Sequence, residues 1–138
     1  MTFNETVEFL EAVAVKKKKA SMSILRLAET RERATAIKSM MSTDVLVMVS
    51  PSNRLEQAIV DIDEAEDRVN ACMIDADRHE KKLIDAIYRL DDPRYIEVLF
   101  RRYINCEHYD YISEAMGYDT HWVIRLRKKA IEALSKVI

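Results

Sequence analysis

Apolar positions recur most regularly between Leu55 and Leu90. Steps of four and three residues pick out Leu55, Ile59, Ile62, Glu66, Val69, Met73, Ala76, Glu80, Leu83, Ile87 and Leu90, and nine of these eleven are apolar. A mean spacing of 3.5 residues marks a helix whose stripe faces a partner helix along its length. Asn53 suits an N-cap, Glu56 completes a capping box, and Pro51 discourages helix before it. The helix is expected to end near Leu90, ahead of Asp91-Asp92-Pro93.

An earlier helix is expected from about Thr6 to Met41. Its stripe is Phe3, Val7, Leu10, Ala14, Lys17, Ser21 and Ile24, after which the phase drifts through Leu27, Ala34, Ile37 and Met41. Two helices of similar length joined near Ser42–Ser52 make an antiparallel hairpin about 50 Å long, at ~1.5 Å per residue. Asp44–Val49, with its apolar Val45–Val49 run, falls in the connection. So short a run is compatible with a strand, a continuing helix or an exposed partner-binding segment, and a poorly ordered or partner-covered loop is the expectation. Glu66 and Glu80 in the second stripe disfavour some registers, as buried polar residues do. The hairpin then closes within one chain, or the long helices pair between two chains as a homodimer.

Shorter elements follow. Asp92 caps a helix with Pro93 in its first turn, running to about Ile104 with Ile96, Leu99, Phe100 and Tyr103 inward. A second spans Tyr109 to Met116 with Ile112, Ala115 and Met116 inward. Gly117, the sole glycine, stands where that helix must stop. Asp119 caps a third, with Val123, Leu126, Ala130 and Leu134 at helical spacing. The expectation is an all-α protein, with a long antiparallel helical hairpin over residues 1–91 and a three-helix unit over 92–138.

Composition agrees. Among 138 residues, 49% are hydrophobic and 33% charged, with one Gly and two Pro, too few for the turns of a β-rich fold. No run approaches the ~18 apolar residues of a membrane span, and the N-terminus lacks the pattern of a signal peptide. Cys72 and Cys106 have no paired spacing and read as reduced thiols of a cytoplasmic protein. The net charge of −2 conceals an asymmetry: residues 1–92 carry 14 Lys/Arg against 18 Asp/Glu, whereas residues 93–138 carry 8 against 6. Within Thr120–Ile138 five basic residues face the single acidic Glu132. A basic segment on a near-neutral chain suits a small anionic footprint.

A short helix, a glycine turn, a capping residue and a second amphipathic helix make a helix-turn-helix, whose second helix the DNA major groove can admit. Thr120, His121, Trp122 and Arg125 are placed for base edges. Arg127, Lys128 and Lys129 are placed for phosphates. Trp122 either contacts thymine methyls and sugar or packs against the hairpin. Other candidates fall away. Lys16–Lys19 could bind phosphate, but they wrap a helix, and if the hairpin turns near residue 47 Lys17 faces about Asp75–Asp77, so local neutralisation is the expectation. Asp61, Asp63, Glu64, Glu66 and Asp67 scatter around a helix with no calcium-loop glycine. His79, His108 and His121 lack ligand spacing with the cysteines, Cys106 and His108 lack a third orienting group, and one glycine cannot build a phosphate loop. Neither catalysis, metal nor cofactor is expected.

The stretch Leu90–Ile104, with Asp-Pro and Arg-Tyr pairs, resembles the first helix of sigma factor region four. Tyr109–Asp119, with Met116-Gly117, resembles the next helix, turn and cap, and Val123–Leu134, with Lys129-Ala130, resembles the recognition helix. The match covers about a third of the chain. With its long helical N-terminal part, the whole is similar to small phage-encoded regulators, including the ArpU and RinA type of late-gene activator and a related uncharacterised phage family. The resemblance implies a sequence-specific regulator of transcription in the cytoplasm of a bacterial host, with double-stranded DNA and RNA polymerase as partners and no membrane. The chain departs from sigma factors in having His121, Trp122 and Ile124 where Arg and Glu are usual. It has no recognisable region two, so an auxiliary role is implied. The rival expectation is a non-enzymatic helical interaction protein that captures a host factor through the Val45–Val49 run without reading DNA.

Overall fold

In the computed structural model, which describes residues 1–42 and 51–138, every described element is helical. Helix α1 spans Phe3–Ser42 and α2 spans Pro51–Ile87; α3 (Pro93–Leu99) continues as a π-helical turn over Phe100–Ile104; α4 spans Tyr109–Met116 and α5 Thr120–Val137. The architecture is the all-α one expected, with a pair of long N-terminal helices followed by shorter C-terminal helices. Val45–Val49 lies outside the described residues. Among the described residues no helix is long and apolar enough to cross a membrane.

The helix ends correct several boundaries. α1 starts at Phe3, ahead of Thr6, because Thr2 and Glu5 form a capping box: Thr2 N–H donates to Glu5 Oε2 at 3.1 Å and Glu5 N–H to Thr2 Oγ1 at 3.2 Å. α2 starts at Pro51, not at an Asn53 cap. Proline is well tolerated in a first turn, where its missing N–H would have had no intrahelical partner. α2 ends at Ile87, and Arg89 and Leu90 then donate to Ala86 and Ile87 carbonyls at 3.1 and 3.0 Å, a tightened last turn.

Two compact units are distinguished, Met1–Lys16 with Ala76–Ile138, and Lys17–Asp75. The C-terminal helices therefore share a unit with the ends of both long helices, rather than standing apart over 92–138. The reason is burial: α3 has 7 residues and α4 has 8, too short to enclose a core alone. Leu10, Val13, Leu83 and Ile87 complete it, packed in one cluster with Val98, Leu99, Ile112, Val123, Ile131 and Leu134.

The π-helical turn reshapes the α3 stripe. Asn105 N–H donates to the Phe100 carbonyl at 3.0 Å, five residues back. A turn widened by one residue puts Leu99 and Ile104 on the same side. Buried positions are thus Val98, Leu99, Tyr103 and Ile104, while Ile96 and Phe100, expected inside, are half-buried. Cys106 follows with φ of +55°, uncommon for a residue with a Cβ, and Glu107 N–H reaches back to the Arg101 carbonyl at 2.9 Å. Arg101 Nη1 holds the Glu107 carboxylate at 3.2 Å, and this bond is the main reason its guanidinium pKa rises above the ordinary value.

In the Lys17–Asp75 unit the seam differs from the expected one. On α1 the buried residues are Ala20, Ser23, Leu27 and Thr30; on α2 they are Ala58 and Ala65, with Leu55, Ile62, Val69 and Cys72 half-buried. Ser21, Ile24, Ile59 and Met73, expected in the seam, are exposed. Small side chains take the line of closest approach because they let two helix backbones come together. Buried hydroxyls are satisfied locally: Ser23 Oγ donates to the Ala20 carbonyl at 2.6 Å and Thr30 Oγ1 to that of Arg26 at 2.7 Å. Arg31 and Glu66 pair across the two helices at 3.0 Å.

Candidate nucleic-acid interface

Helices α4 and α5 and the turn between them are built from local signals. The His108 side chain caps α4, accepting from Asp110 N–H at 3.3 Å. α4 stops at Gly117, whose φ of 72° and ψ of 28° are left-handed, a conformation a Cβ disfavours. Gly117 and Tyr118 N–H groups both donate to the Ser113 carbonyl, and the Ser113 hydroxyl donates to that of Tyr118. Asp119 then caps α5, accepting from His121 N–H at 3.2 Å. Ile112 is the residue of α4 fully inside; Ala115, expected there, is exposed. Val123, Leu126, Ala130 and Leu134 are buried as expected, and Ile131 joins them.

With that side of α5 buried, His121, Ile124, Arg125 and Lys128 are exposed. Their spacing of three and four residues makes them one stripe, beginning at the helix N-terminus, whose free N–H groups carry partial positive charge. Among the described residues neither Arg125 nor Lys128 makes an ion pair. Nearby cations differ: Arg94 is clasped by Asp92, with Nη2 to Oδ2 at 3.0 Å and Nε to Oδ1 at 3.3 Å, and Arg101 by Glu97 and Glu107. The Arg94 bonds hold the Asp92 carboxyl below its usual pKa. Desolvating an uncompensated Arg–Lys stripe is favourable only against an anion, and its unpaired state leaves it available for one.

Trp122 borders the stripe. Its ring is tilted against Tyr118 at 6.3 Å between centroids, and Lys129 Nζ lies 5.7 Å from its centroid. Together with Arg94, Tyr95, Arg125 and Leu126, these two residues line a shallow hollow of about 60 Å³. Trp122 remains 37% exposed while its ring contacts Tyr118 and Lys129.

The seven expected contact residues are not all on one surface. His121, Trp122, Arg125, Lys128 and Lys129 are exposed, and Thr120, at the first helical position, is half-buried. Arg127 turns elsewhere: its Nε donates to Tyr103 Oη at 2.6 Å, and it lines a separate hollow of about 240 Å³ with Glu11, Ala14, Arg102, Tyr103 and Cys106. Burial raises the Tyr103 hydroxyl pKa above its ordinary value, and the Arg127 hydrogen bond partly opposes this. Arg94 and Tyr95, beside Trp122, were not expected. Their place depends on α3 lying against α5, which no local pattern encodes. The exposed side of α4 carries Asp110 and Glu114, which would repel phosphates.

No family model matches the chain, and neither a curated protein nor a solved structure matches it.

Proposed function

We propose that the protein is a phage-type regulator of transcription in the cytoplasm of a bacterial host, which binds double-stranded DNA through α5 and has no catalytic activity of its own. The observation that carries the reading is the unpaired stripe of His121, Arg125 and Lys128 on the second helix of a glycine-turned, capped helix pair. In this reading α5 enters the major groove. His121 and Arg125, joined by Thr120 and Trp122, face base edges, and Lys128 and Lys129 meet phosphates. Arg127 acts on the fold, through Tyr103. The resemblance of Leu90–Leu134 to sigma region four supports a second contact, with RNA polymerase.

The test is selection of duplexes from a fragmented bacteriophage and host DNA library, in parallel with the Arg125→Ala/Lys128→Ala variant. Both positions are exposed, so the variant keeps its helix content. Recurrent enrichment of one sequence by the wild type and its loss in the variant support the reading. Equal recovery by both proteins overturns it. Capture of a protein partner from nuclease-treated lysate, without any intrinsic DNA affinity, would favour the rival interaction protein.

A further inference from the structure

The Lys17–Asp75 unit has a second face, independent of the DNA reading. Its seam follows two heptads: Ala20, Leu27 and Ala34 with Ser23, Thr30 and Ile37 on α1, and Leu55, Ile62 and Val69 with Ala58, Ala65 and Cys72 on α2. The residue following each second seam position then runs along one edge: Ile24, Arg31 and Lys38 on α1, and Ile59, Glu66 and Met73 on α2. The Arg31–Glu66 pair at 3.0 Å establishes that these two rows share an edge. In an antiparallel pair, one heptad away in each direction puts Ile24 level with Met73 and Lys38 level with Ile59. Three of the six are large and apolar, yet Ile24 is 47%, Ile59 51% and Met73 39% exposed. The residue preceding each first seam position lies on the opposite edge, where Lys19, Arg26, Arg33, Arg54, Asp61 and Arg68 are all charged.

An apolar set of two seam positions plus one flank is the pattern of a four-helix bundle, whereas a two-helix hairpin needs the seam alone. We propose that the Ile24–Arg31–Lys38 and Ile59–Glu66–Met73 edge is the interface with a second copy of this chain, closing two hairpins into an antiparallel four-helix bundle. A two-fold axis along the hairpin sets α1 of one copy beside α2 of the other, level for level. Ile24 meets Met73 of the partner subunit, Arg31 meets the partner's Glu66, and Lys38 lays its methylenes along the partner's Ile59. The face is therefore complementary to itself in charge as well as in apolarity. Between Ala20 and Lys38 it is about 27 Å long and two helices wide. At ~10 Å per helix this is about 540 Å² in projection, of the order of the ~800 Å² per partner in stable dimers once side-chain relief is included. The repeat of Ile59, Glu66 and Met73 in the sequence belongs to this face.

Sedimentation of the full chain tests the proposal. The wild type is expected at twice its 16.1 kDa at micromolar concentration. Arg31→Glu alone and Glu66→Arg alone each place like charges within and between copies, and each should weaken association by about tenfold or more. Mixed in equal amounts, the two variants restore opposite charges only between copies, so the mixture should recover the dimer. Circular dichroism of each single variant should keep the helix content, because the pair within one chain is exposed and contributes little to stability. A monomeric wild type at 100 µM overturns the proposal and leaves the edge to a different partner. Failure of the mixture to reassociate also overturns it, as does a dimer that survives Ile24→Glu/Met73→Glu with its helices intact.

Discussion

Replacing Gly117 with alanine isolates the backbone geometry on which the α4–α5 turn depends. A Cβ built at Gly117 meets nothing within 4 Å, so no steric clash contributes. What remains is the torsional cost of holding an L-residue at φ of 72°, about 1–2 kcal/mol. Part of it is offset because alanine restricts the unfolded chain by about 0.4–1 kcal/mol relative to glycine. The net loss is about 1 kcal/mol. Asparagine tolerates this conformation, so Gly117→Asn should lose less than half as much. Urea unfolding followed by Trp122 fluorescence reports this locally, since Trp122 sits in the first turn after the Asp119 cap. With an m-value of ~2 kcal/mol/M, the alanine variant's midpoint falls by about 0.5 M. An alanine variant as stable as the wild type would refute the left-handed turn. A loss above about 3 kcal/mol in both variants would refute the open space around it.

Other outcomes follow from the same packing. Tyr103→Phe should destabilise by about 1 kcal/mol, because Arg127 Nε loses its acceptor. The raised Tyr103 pKa makes its contribution to stability complete below the unfolded tyrosine value near 10 and progressively lost as pH rises through the folded value, so the wild type should lose stability above pH ~10 more steeply than Tyr103→Phe. The lowered Asp92 pKa acts oppositely: its contribution is present above the usual carboxylate range and lost as acid protonates it, and Asp92→Asn should flatten that acid limb of a denaturation series. Cys106→Gly should stabilise by about 0.5–1 kcal/mol in urea unfolding by relieving a positive φ, and Cys106→Val should destabilise. Leu134→Ala, fully buried, should cost about 2–5 kcal/mol by the same measurement.

Among the described residues the order of the α-helices was legible because each signal is local: Asp92-Pro93, Met116-Gly117 and Asp119 mark ends by capping chemistry. The α1 start was legible too, in the Thr2–Glu5 box and in a stripe that begins at Phe3. The α2 stripe misled for a physical reason. Counting large apolar residues merged a seam of Ala58, Ala65 and Cys72 with an exposed row of Ile59 and Met73, one residue apart. The π-helical turn at Phe100–Ile104 shifted the burial of Ile96 and Phe100, because an extra residue in a turn leaves no compositional mark. In the candidate interface, His121, Arg125 and Lys128 follow from α5 periodicity once Val123 and Leu126 face inward. Arg127 escapes that logic, since its direction depends on Tyr103, twenty-four residues away.

The salt dependence of binding reports whether the exposed α5 stripe meets DNA phosphates and bases as proposed. Fluorescence anisotropy of a labelled duplex of about 30 base pairs, titrated at 50–200 mM salt, gives the slope of log affinity against log salt. Each phosphate contact contributes about −0.9 to that slope. With Lys128 on a phosphate and Arg125 on base edges, Arg125→Ala/Lys128→Ala should make it shallower by about 0.9, with weaker binding throughout. A variant that keeps both the slope and the affinity of the wild type would show that this stripe does not meet DNA.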